Sequence, residues 1–76
     1  MKELLEVIAK NLVDHPEAVS VKETQKERAT VLELKVAPED MGKVIGKQGR
    51  IAKAIRTVVK AAAIHEEKHI VVEIVP

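Results

Sequence analysis

Gly42-Lys43-Val44-Ile45-Gly46-Lys47-Gln48-Gly49-Arg50-Ile51 holds all three glycines of the chain, two of them three residues apart in a pattern that is otherwise helical. Glycines at both ends of Gly46-Lys47-Gln48-Gly49 permit backbone angles closed to residues with a Cβ. The four residues therefore read as a tight joint between two helices. The charge around them argues for more than a corner. Between Asp40 and Glu66 the chain carries Lys43, Lys47, Arg50, Lys53, Arg56 and Lys60 and no acid, whereas the remainder has seven basic against twelve acidic residues. A charge run is usually a solvated face, but here the net charge of +1 conceals a polarity able to steer an anionic partner.

The pattern on either side of the joint sets the architecture. After Gly49 it is helical to about Lys68, with Ile51, Ile55, Val58 and Ala62 in one arc and Arg50, Lys53, Arg56 and Lys60 in another. Before the joint, Ala37-Pro38-Glu39-Asp40 marks a helix start, with proline in the first turn and acids at the positive end of the dipole. Residues 30–36 alternate, Leu32, Leu34 and Val36 on one face and Val31, Glu33 and Lys35 on the other, which predicts a one-sided strand. Val19 and Val21 alternate in a first strand from Ala18, joined through Gln25-Lys26-Glu27-Arg28. Residues 2–13 place Leu4, Leu5, Ile8 and Leu12 at helical spacing, and Asp14-His15-Pro16 ends that helix. Ile70, Val72 and Ile74 share a face of a last strand running to Val75. The order α-β-β-α-α-β predicts a single α+β domain over residues 1–76, with three helices on one face of a three-stranded sheet. The second and third strands run parallel if adjacent.

Composition narrows the function classes. A chain of 76 residues, 46% hydrophobic and without Phe, Trp or Tyr, must build one small aliphatic core, and aromatic stacking on a base is excluded. No cysteine is present, so disulfides and thiolate chemistry are excluded too. The N-terminal segment mixes acids into its apolar residues, unlike a signal peptide, and no apolar run approaches the ~20 residues that span a bilayer. A soluble, cytoplasmic protein without a membrane association is expected.

The joint and the basic stripe coincide. A bare loop lets a sugar–phosphate chain approach the backbone, and the start of the following helix offers N–H groups and a positive dipole end. Lys47 stands at the tip, with Lys43, Arg50 and Lys53 around it as phosphate donors. Val44, Ile45 and Ile51 are apolar groups beside the loop. Most of their area belongs to the core, and they could also floor a shallow groove completed by strand residues such as Leu34 or Val36. On the long helix the apolar arc extends to Ala52, Val59 and Ala63, small enough to admit a second helix, which marks a candidate dimer face.

The run Val44-Ile45-Gly46-Lys47-Gln48-Gly49-Arg50-Ile51, with Ile55 one turn on, resembles the signature of the KH domain, an RNA-binding module with a GxxG loop, and the element order resembles its prokaryotic, type II form. Length and content resemble the short bacterial KH RNA-binding protein A family over nearly the whole chain. The resemblance implies about four nucleotides of single-stranded RNA held across a groove, with Gly46, Lys47, Gln48 and Gly49 on the backbone and bases against aliphatic side chains. It implies no catalysis and no cofactor, an RNA-chaperone role, and association as a homodimer or with a second, larger KH protein. The alternative is a protein-interaction adaptor with weak RNA affinity of its own.

Two other motifs carry less. His65-Glu66-Glu67-Lys68-His69 matches H-E-x-x-H, whose histidines bind zinc when they share a helix face, but His69 abuts the last strand and a downstream third ligand has little room. Histidines there fit a helix C-terminus better. Gly42 to Gln48 is one residue short of a P-loop and has Gln48 where a Ser or Thr must hold magnesium. Ser20 is the only serine, within a strand pattern, so no nucleophile–base set is credible.

Overall fold

In the computed structural model, which describes residues 1–64 and 67–76, the elements follow the expected order. Helix α1 spans Lys2–Leu12, strands β1 and β2 span Ser20–Gln25 and Ala29–Lys35, helices α2 and α3 span Met41–Ile45 and Arg50–Ala62, and β3 spans His69–Val75. Short 3-10 turns occupy Pro16–Ala18, Pro38–Asp40 and Lys47–Gly49. The sheet order is β1-β2-β3. β1 runs antiparallel to β2 with Val21 opposite Leu34, and β3 runs parallel to β2 with Leu32 opposite Val72. Parallel neighbours need a crossover, and α2 with α3 supplies it.

The alternation read from residues 30–36 holds in space. Leu32, Leu34 and Val36 are buried beneath the helices with Val21, Ile70 and Val72, while Lys35 and Glu73 are exposed on the opposite face. Helix α1 adds Leu5 and Ala9 to this core; Leu12, expected among the core residues, is exposed because the inward face of α1 is centred one position away. The chain leaves the helix at Val13, in extended backbone three residues before Pro16.

Two expectations for α3 require correction. The helix stops at Ala62, well short of Lys68, and the Ala63 N–H closes its last turn on the Val59 and Lys60 carbonyls. The alanines permit more helix than the crossover can accommodate, since the chain must turn back to enter β3 at His69. The core-facing side is also rotated. Ala52, Ile55, Val59 and Ala63 face inward, at 5%, 3%, 0% and 7% exposure, and Val58 is 48% exposed. Ala52, Val59 and Ala63 are therefore not a dimer face. Their small side chains let α3 approach its own sheet closely, a use of alanine that the pattern alone ascribed to a second helix.

One polar group lies deep in this packing. The Asp40 side chain, 1% exposed, accepts the backbone N–H groups of Asp14 at 3.3 Å and His15 at 3.0 Å. It ties the segment leaving α1 to the start of α2, which fixes the helix that carries the glycine joint. Burial of a carboxylate is tolerated only with such partners. Among the described residues no helix is long and apolar enough to cross a membrane.

Candidate nucleic-acid interface

The joint is built by three successive departures from ordinary backbone. Gly46 ends α2 at φ 75°, ψ 173°, Gln48 is left-handed at φ 59°, and Gly49 begins α3 at φ 73°. The first of these angles is nearly exclusive to glycine. A second constraint acts on Gly46, since a Cβ there would lie 2.6 Å from Ile51 Cγ1 and 2.9 Å from its Cβ. Gly49 differs, because nothing lies within 4 Å of where its Cβ would be. Gly46 is packed; Gly49 presents bare backbone to solvent.

Helix α3 opens from this turn with no side-chain cap and no acid in its first turn. Arg50 N–H is used by the Lys47 carbonyl, and the amides that follow are those a helix start leaves without intrahelical acceptors. Lys47, Arg50 and Lys53 are exposed around it, and among the described residues none of the ion pairs includes them. Lys43 is placed differently. It donates to the Asp14 carboxylate, which holds Asp14 below its ordinary pKa and raises Lys43, in both cases first through that hydrogen bond. Its charge is thus largely answered within the fold.

Beyond the loop, α3 has two unlike flanks. On the β3 side, Arg56 Nε donates to the Val72 carbonyl at 3.2 Å, and Lys53 and Lys60 share the same arc. Strand β3 is an edge strand of the sheet, as is β1 at the other side. Since Val75 O accepts from Val36 N–H and His69 N–H donates to Arg28 O, its odd-numbered residues turn their backbone groups toward β2. The even-numbered ones, Ile70, Val72 and Ile74, turn theirs to the open edge. The strand beside α3 on this side is therefore β3, whereas Leu34 and Val36 lie buried at or beside the central strand. On the α1 side, Ile51, Ala54 and Val58 join Ile8 and Leu12 around an apolar groove of about 380 Å³. Ile51 belongs to this second flank and also packs beneath Gly46, while Ile45 is half-buried against the core.

The pattern therefore located the loop and its cations but missed the hydrogen bond of Arg56 to β3 and missed the open edge of that strand. Arg56 was visible as a member of the stripe, three residues after Lys53; its anchorage depends on a strand that no helical projection contains. Of the H-E-x-x-H motif, His65 and Glu66 lie outside the described residues, and among the described residues no cluster of acids and histidines could hold a metal ion.

Three helices on one face of a mixed three-stranded sheet, with a GxxG joint between the second and third, define a KH domain of the type II order. Sequence comparison agrees, since residues 2–74 match the family described as KhpA/KhpB, KH domain. Among similar proteins, RNA-binding protein KhpA of Clostridium perfringens is 73% identical over 75 residues, covering 99% of this chain and all of the relative. The protein of the same name from Clostridium acetobutylicum is 71% identical over the same span. The chain belongs to the KhpA/KhpB family of KH domains. In fold it is also similar to part of the crystal structure of Aquifex aeolicus Era, at a TM-score of 0.63 and 20% identity; the match takes in 99% of this chain but spans 30% of that one.

Proposed function

We propose that this protein is a non-catalytic binder of single-stranded RNA that needs no cofactor, acting in the cytoplasm as an RNA chaperone. The GxxG loop holds the sugar–phosphate backbone, and about four nucleotides lie along the seam between α3 and the open edge of β3. The observation that carries the reading is the joint itself, where a bare Gly49 and an uncapped, acid-free helix start meet the exposed Lys47 and Arg50. The names of its relatives support the same reading. With roughly three or four phosphates engaged, the log–log salt slope is about −2 to −3. Changing Lys47 and Gln48 together to aspartate should abolish binding of a single-stranded RNA decamer in fluorescence anisotropy while circular dichroism is unchanged. Undiminished binding by a folded double variant would refute the assignment of the loop.

A second reading, compatible with the first, concerns association. The apolar groove between α1 and α3 leaves Leu12 and Val58 exposed, and on that basis we place pairing on this face, with a second copy or with a larger KH protein. Val58→Glu should then yield a folded monomer in sedimentation equilibrium. A wild-type chain that is monomeric and captures no KH partner would refute this, and self-association without RNA binding would favour the adaptor role instead.

A further inference from the structure

Ile51, the second residue of α3, serves two surfaces at once. Its side chain lies over the α-carbon of Gly46, so closely that a Cβ there would come within 2.9 Å of its Cβ, Cγ1 and Cδ1. The same side chain lines the apolar groove between α1 and α3 together with Ile8, Leu12, Ala54 and Val58, and it is only half-buried against the core. Gly46 in turn sets the direction of the loop, since the chain leaves α2 there at φ 75° and ψ 173°. Elsewhere the loop has little side-chain support. No side-chain cap holds the start of α3, Gln48 is left-handed, and nothing lies within 4 Å of the Cβ position of Gly49.

The chemistry of the groove fits a second copy of the chain. Apart from Arg50, every residue lining it is apolar, and no acid is among them. An identical face therefore meets it with no buried charge pair to satisfy, and the exposed Leu12 and Val58 supply side chains to enter it. Covering the groove also covers the free side of Ile51. A half-exposed isoleucine keeps rotamer freedom, and the freedom it gives up on burial corresponds to about a two- to fivefold change in an equilibrium constant.

We infer that Ile51 is a positioning residue that couples the pairing face to the RNA loop. Association of two copies over the groove fixes Ile51 against Gly46, and Gly46 then holds the GxxG loop in the shape that receives a sugar–phosphate chain. Ile51 acts through Gly46 and needs no contact of its own with RNA. Ordering its side chain opposes whichever event comes first and is already done for the second. The effect is reciprocal, so pairing tightens RNA binding and RNA tightens pairing. This rests on both readings above, that RNA engages the loop and that copies pair across α1 and α3.

The test uses the full chain and a single-stranded RNA pentamer, too short for two clamps of about four nucleotides each. Sedimentation equilibrium of the wild type should give a pairing constant about 4- to 25-fold tighter with saturating pentamer than without it, the square of the single-site factor, because a pair carries two loops. This measurement needs no variant. Ile51→Ala has no rotamer to order, so it should still bind the pentamer and still pair, while RNA changes its pairing constant by less than about twofold. If circular dichroism shows that Ile51→Ala does not fold, Ile51→Val, which lacks Cδ1 and the second rotatable bond, takes its place and should reduce the effect of RNA in the same direction. A wild-type pairing constant unmoved or weakened by RNA, or an RNA effect that survives in full without the Ile51 side chain, overturns the inference alone; the second result would assign the effect to neutralised charge. A wild type that stays monomeric at every concentration, with and without RNA, overturns the pairing reading as well, and one that binds no pentamer overturns the RNA-binding reading as well.

Discussion

Replacing Gly46 by alanine should damage the protein far more than the same change at Gly49, although both glycines have φ near +75°. At Gly46 two terms act together. The backbone angles, φ 75° and ψ 173°, lie where side chains are strained by about 1–3 kcal/mol. The new methyl would lie 2.6 Å from Ile51 Cγ1 and 2.9 Å from Cβ and Cδ1, an overpacking that costs about 1–3 kcal/mol more. At Gly49 the backbone is ordinary left-handed, about 1–2 kcal/mol for alanine, and no atom lies within 4 Å of the added Cβ. A chain of this length has about 4–11 kcal/mol of stability in all, so Gly46→Ala approaches the limit of folding. Thermal unfolding by circular dichroism, at about 4–8 °C per kcal/mol for a domain of this size, should show a fall of at least about 10 °C for Gly46→Ala and a clearly smaller one for Gly49→Ala. Adding Ile51→Ala to Gly46→Ala should recover part of the loss as a favourable coupling of about 0.5–3 kcal/mol. Equal destabilisation at the two glycines, or strict additivity with Ile51→Ala, would refute the claim that Gly46 is a packed joint. Gly49→Ala should keep the fold yet weaken RNA binding, because its methyl occupies the bare backbone surface.

The left-handed Gln48, at φ 59°, stores about 1–2 kcal/mol, of which glycine's extra chain entropy returns about 0.5–1 kcal/mol. Gln48→Gly should therefore raise the melting temperature by about 2–8 °C, and a fall would contradict the strain. Asp40→Ala removes the acceptor of the Asp14 and His15 amides and should cost about 2–4 kcal/mol in urea unfolding; a cost below about 0.5 kcal/mol would mean that water replaces the carboxylate. The Asp14 carboxyl is held below its ordinary value by Lys43, so its contribution to stability is present above the unfolded value of about 3.9 and is lost as the pH falls through the folded one. Lys43→Met should therefore leave the neutral melting temperature nearly unchanged and make its decline below about pH 4 shallower, the effect being small because both groups are exposed. A decline as steep as in the wild type would show that the pair is not linked to folding.

The sheet was the most legible part of the sequence because its signal is strict. A residue either alternates into the core or does not, and Leu32, Leu34, Ile70 and Val72 stand where the period of two puts them. Helix α3 was harder, since its apolar arc is broad and part of it is alanine, which says little about direction. Whether Val58 or Val59 faces the core is decided by α1 and the sheet, which pattern reading does not contain. The end of α3 was hidden by good helix formers at 61–63, whose helix is cut short by the return to β3. The glycine joint was legible as a joint, because glycine spacing states a backbone requirement directly, although the left-handed Gln48 within it carries no such mark. Its surroundings were not, for Lys43 is answered by Asp14 from 29 residues away and Arg56 by a strand 16 residues on.

The outer edge of β3 has a consequence for how copies of the chain behave toward one another. A strand rich in β-branched residues with open N–H and C=O groups is a template on which another strand can grow. Here the Arg56 guanidinium covers the Val72 carbonyl midway along it, and Lys53 and Lys60 beside it repel the identical row on an approaching copy. The stripe that would draw in a polyanion thus also acts as a gatekeeper against edge-to-edge aggregation. An anion that neutralises the stripe removes that protection unless it also occupies the edge itself.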